Sequence, residues 1–127
     1  MDFFASGGVV MSTALGGETV IVNPIYEPRA VFSINASNQL QGTIWGTKDG
    51  VKATPGILGN ASYTVKDKNG TSIGITQSGI APDSAGLFIT TATSASLIND
   101  LTHYTVELVV AIDGVNRLGV VGIVVGE

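Results

Sequence analysis

His103 is the only histidine in this chain and cysteine is absent. Nucleophilic and metal chemistry would therefore have to begin from one imidazole, set between Thr102 and Tyr104. No G-x-S-x-G serine stands ready for it to activate. A zinc site would need clustered His, Cys or carboxylates, and the acids here are dispersed, so His103 is read as structural or exposed. Asp67-Lys68-Asn69-Gly70-Thr71 has the opening of a calcium loop but lacks the glutamate that closes one. It is read as a hairpin turn with Gly70 left-handed. Asp100 and Asp113 flank one predicted strand at opposite ends, roughly 40 Å apart at the strand rise, too far to share a proton. The N-x-[ST] triplets at Asn35, Asn60 and Asn69 are read as turn residues rather than glycan acceptors. No glycine loop between a strand and a helix offers a phosphate cradle. The expectation is a protein without catalytic residues, metal or cofactor.

The elements that would position any site are strands. From about residue 29, apolar stretches alternate with turn signals at roughly 8–12 residue spacing, the pattern of an all-β sandwich or barrel. Strands are predicted near 29–35, 40–46, 61–67, 71–76, 86–93, 103–112 and 116–125. Asn35-Ala36-Ser37-Asn38, Lys48-Asp49-Gly50, Lys68-Asn69-Gly70, Ala81-Pro82-Asp83-Ser84 and Asp113-Gly114 separate them. Asn-Gly and Asp-Gly accept positive φ cheaply and suit tight hairpins. Tyr104 opens an alternating strand (Val106, Leu108, Val110, Ile112) shortly after Leu97-Ile98. This arrangement predicts a tyrosine whose phenol bonds back to the preceding corner.

Only 13% of the 127 residues are charged, about half the usual share, while mean hydropathy is +0.39. No apolar run approaches the roughly 20 residues that span a bilayer, so the excess apolar surface is expected to be covered by protein. The net charge of −4 is scattered, and without a basic cluster nucleic acid is not an expected partner. Neither is a membrane. Met1 to Gly8 lacks the charged and apolar regions of a standard signal peptide.

Residues 1–28, with Gly7-Gly8, Gly16-Gly17, Pro24 and Pro28, read as an extended arm with one possible strand at Thr19-Val20-Ile21-Val22. Residues 29–127 form the sandwich. In the last strand both phases are apolar: Leu118, Val120 and Val124 on one, Val121, Ile123 and Val125 on the other. One core cannot cover both. Adjacent aromatics are favoured interface anchors, so Phe3 and Phe4 are expected to contact a partner, with Val9, Val10, Met11, Val121, Ile123 and Val125. Trp45 shares its phase with Gln41 and Thr43 rather than with Leu40 and Ile44. A bulge would turn it into the core; otherwise it stands half exposed.

From residue 30 the chain resembles the immunoglobulin-like and fibronectin type III-like sandwiches of bacteriophage and bacterial surface proteins. The resemblance rests on Leu40 to Trp45, Tyr63-Thr64-Val65 with the Asp67–Gly70 turn, Asp83-Ser84-Ala85-Gly86-Leu87-Phe88, and the stretch through Tyr104 to Asp113-Gly114. It covers about three quarters of the chain and implies an immunoglobulin-like β-sandwich of about seven strands. A small cysteine-free sandwich with an apolar arm looks like phage head decoration (cement) proteins and head–tail or tail accessories. The likeness implies a non-enzymatic virion protein, made in the host cytoplasm. Its arm would reach over capsid or tail subunits or over further copies of itself in a homo-oligomer. A carbohydrate-binding or adhesion module is the alternative, with Trp45, Tyr63 and His103 as its stacking candidates.

Overall fold

The computed structural model describes residues 2–5, 9–13, 19–93 and 102–125, with side chains over 23–93 and 103–124. Its strands are β1 (Asp2–Ala5), β2 (Val9–Thr13), β3 (Thr19–Val22), β4 (Tyr26–Ile34), β5 (Leu40–Lys48), β6 (Val51–Lys52), β7 (Leu58–Asp67), β8 (Ser72–Ile80), β9 (Phe88–Ile89), β10 (Thr102–Ile112) and β11 (Val115–Val125). Two antiparallel sheets make a sandwich. One runs β11-β10-β7-β8; the other runs β4-β5, with β6 and β9 both beside β5. The all-β sandwich expected from the alternation is therefore the fold observed.

Three of its turns share one construction, and the residue types dictate it. Asn35, Asp67 and Asp83 each open a five-residue turn whose side-chain Oδ1 accepts the backbone N–H groups two and four residues on, at 2.8–3.0 Å. The fourth position is left-handed in each: Asn38 (φ 58°), Gly70 (φ 80°) and Gly86 (φ 82°). An Asx side chain mimics a backbone turn, and Gly or Asn tolerates positive φ. The Asp67 oxygen thus caps its own hairpin, which accounts for the apparent calcium-loop opening. Asp49-Gly50 and Asp113-Gly114 form the tight two-residue turns expected of them, with positive φ at all four residues.

The inner faces meet in a core of Leu40, Ile44, Tyr63, Val65, Phe88, Val106, Leu108, Val110 and Ile112, each at most 1% exposed. Every second residue of β10 from Val106 lies in it, and Tyr104 is buried beside them, as the alternation predicts. The corner expected around Leu97 lies outside the described residues. Trp45 keeps its phase. The β4–β5 register runs unbroken from Tyr26↔Lys48 to Ile34↔Leu40, so no bulge turns the indole inward, and Trp45 is half-buried on the outer face, opposite Arg29.

Two boundaries differ from expectation, for physical reasons. β4 starts at Tyr26, so the division expected at residue 28 falls inside it. Pro28 reads as a break but is tolerated because β4 is an edge strand, where one face of the backbone needs no donor. The strand predicted over 86–93 is regular only at Phe88–Ile89. Beyond it, hydroxyls replace part of the ladder: Thr90 Oγ1 accepts from Gly42 N at 2.7 Å and Thr93 Oγ1 from Leu40 N at 3.1 Å. The N-terminal segment carries three strands rather than one, paired antiparallel in the order β1-β2-β3.

Candidate assembly interface

The hairpin β10–β11 decides which apolar phase of the last strand faces out. Asp113-Gly114 is a two-residue turn, so Ile112 pairs with Val115 and the register continues through Val106↔Val121 and Tyr104↔Ile123. The buried phase of β10 thereby sets the inward phase of β11. Val121 and Ile123, expected to face a partner, lie on the inner face and pack against the core. Val125 shares their phase, and its side chain lies outside those described. The outward row is Leu118, Val120 and Val124, exposed by 78%, 68% and 51%. The signal was in the sequence: once the turn has two residues, every pair on the hairpin is determined.

Glycine lets the inner face of this strand close against the other sheet. A Cβ on Gly119 would lie 3.0 Å from both Cβ and the carbonyl oxygen of Pro28, so any larger residue would push β11 off β4. Where β4 and β11 diverge beyond this contact, a cleft of about 440 Å³ opens between Phe32, Ser33, Ile34, Leu40, Ile123 and Val124. On the outer face, a shallow depression of about 270 Å³ is bordered by Val109, Leu118 and Val120. Beside it Lys66 Nζ and Glu107 Oε2 pair at 2.8 Å, which neutralises the charge next to the apolar row.

At the opposite end of β11 a polar latch joins the two sheets. The Tyr26 phenol donates to Asp113 Oδ2 at 2.8 Å, and Lys48 Nζ lies 3.3 Å from the same oxygen. The Arg117 guanidinium stacks 3.8 Å from the centre of the Tyr26 ring. Hydrogen bonds from Tyr26 and then Lys48 hold the Asp113 carboxyl below its ordinary range. The same Asp113 contact raises Tyr26 and Lys48. All these groups are satisfied by one another, which suits a structural clasp.

The remaining candidates do not converge. Tyr63 is in the core, Trp45 is on the outer face of one sheet, and His103 is exposed on the outer phase of the other. No shared platform for a sugar results. Phe3, Phe4, Val9, Val10 and Met11 fall in β1 and β2, paired Phe3↔Met11 and Phe4↔Val10. What their side chains touch lies outside the described residues. Among the described residues no group of three or more His, Cys, Asp or Glu is placed to hold a metal ion. No family model, curated protein or solved structure matches the chain.

Proposed function

We propose that this is a non-enzymatic structural protein that works by being built into a larger particle. The observation that carries the reading is the outward row Leu118, Val120 and Val124, on a strand whose other phase already faces the core. Contiguous exposed apolar surface marks an interaction site, and a chain with only 13% charged residues has little else to keep it apart from its neighbours. The resemblance to phage sandwiches supports a virion as that particle: a capsid decorated or cemented by this protein, or a tail or neck to which it is an accessory. In that setting β1–β3 is the arm toward neighbouring capsid or tail subunits, and the outer sheet face packs on them. Burying one large apolar side chain contributes about 1.5–3 kcal/mol, and a repeated lattice multiplies weak contacts through multivalency.

The test is incorporation. Antibody against the purified chain should label intact particles of the phage that encodes it. A chain lacking residues 2–11 should fold and yet leave the particles unlabelled. Labelling confined to the host cytosol, or undiminished incorporation of the truncated chain, would overturn the virion reading or its arm mechanism respectively.

A further inference from the structure

Among the described residues the sandwich has several strand edges, and all but one are blunted. β4 carries Pro28, which has no N–H to offer, between the charged side chains of Glu27 and Arg29. β8 is irregular, with register shifts against β7 and left-handed Gly74 and Gly79. Gln77 also ties it to the chain after β9, donating to the Thr91 carbonyl at 2.8 Å. β6 and β9 have two residues each. Proline, charge, bulges and brevity are the devices that stop edges from pairing with other chains. β11 has no proline, no bulge and no shortness. It runs eleven residues in unbroken register with β10, and its one charge, Arg117, is engaged on Tyr26.

We infer that the outer edge of β11 pairs antiparallel with β11 of a second copy of this chain, across a twofold axis at Val120. The assembly reading gives this pairing its consequence, but its chemistry stands apart. In a two-residue hairpin the flanking pair, Ile112 and Val115, bond to each other. By alternation Asn116, Leu118, Val120, Gly122 and Val124 aim their N–H and C=O groups off the sheet. These five positions are symmetric about Val120, so a twofold pairing sets Val120 against its copy, Leu118 against Gly122 and Asn116 against Val124. It would make about ten backbone hydrogen bonds.

The side chains favour the same register. Leu118 is the most exposed of the large apolar residues, and Gly122 has nothing within 4 Å of where its Cβ would be, so the large residue meets the open place twice. Charge agrees, because the outward row is uncharged and the nearby Lys66–Glu107 pair is neutral. An acidic or basic strand would lose hydration there without a counter-charge; an identical strand would not. Strands β1–β3 pair with one another and, among the described residues, leave this edge open.

Light scattering on the full chain tests the association, and cysteine cross-linking tests the register. The wild type should show at least a dimer mass. Val120→Lys, which sets two ammonium groups face to face, should halve the mass with the circular dichroism unchanged. Val31→Lys, exposed on the other sheet, should leave it unaltered. With no native cysteine, Val120→Cys should form an interchain disulfide on oxidation, because the pairing brings its two Cα atoms to about 5.5 Å. Leu118→Cys should not, because its copies lie four residues out of register. A monomeric wild type, a Val120→Lys mass equal to wild type, or equal cross-linking at 118 and 120 would overturn the twofold pairing. Incorporation that depends on residues 2–11 would survive each of those results, so the two readings fail separately.

Discussion

Tyr63→Phe should stabilise the protein, and the size of the gain can be worked from its surroundings. The side chain is 1% exposed, and its ring meets Phe32 edge-on with centroids 5.5 Å apart. Its phenol oxygen has no hydrogen-bond partner among the described residues. A buried polar group left unpaired costs about 1–3 kcal/mol. Removing the hydroxyl while keeping the ring should therefore gain about 1 kcal/mol at pH 7, roughly 4 °C in Tm for a domain of this size. Burial also pushes the phenol's pKa up from 10.0 to about 12. Between these values the unfolded chain releases the proton while the folded one holds it, so wild-type stability falls as pH rises from 10 toward 12. The fall is at most about 2–3 kcal/mol. The variant lacks this contribution and should lead by about a further 1 kcal/mol at pH 11. The raised Tyr26 phenol adds a slope of the same sign, but both proteins share it, so the difference isolates Tyr63. Urea titrations at pH 7 and pH 11, read by fluorescence of the single Trp45, give both numbers. A variant less stable at pH 7, with no wider gap at pH 11, would mean that the hydroxyl is satisfied and the reasoning wrong.

Two further substitutions probe how the sandwich is held. Gly119→Val would force a branched side chain into the 3.0 Å contact with Pro28; overpacking of this kind costs about 1–3 kcal/mol, measurable as a lower urea midpoint. Asp83→Ala removes the acceptor of the Ala85 and Leu87 N–H groups. It should cost about 1 kcal/mol, and Asp83→Asn, which keeps the oxygen, should restore most of it in the same titration.

Local chemistry made much of this fold legible. The alternation of Tyr104, Val106, Leu108, Val110 and Ile112 marked a half-buried strand, and Asp-Gly and Asx turns marked where strands reverse. Both signals act over a few residues and need no partner. The interface was legible only in part. Both phases of residues 118–125 are apolar, so hydropathy alone did not show that Val121 and Ile123 turn inward. The count across Asp113-Gly114 did. Pro28 looked like the end of an arm because its cost depends on whether the strand has a neighbour on that side.

Sequence by itself determined the strand pattern, the turn types and the excess of apolar surface, because backbone preference and hydrophobic period are properties of neighbouring residues. Only the tertiary structure decided that Gly119 touches Pro28, that Tyr26, Lys48 and Asp113 clasp the two sheets, and that β11, among the described strands of the sandwich, keeps an unblunted edge. Those facts follow from how two sheets dock across 65 to 91 residues of chain, a separation that no local period encodes.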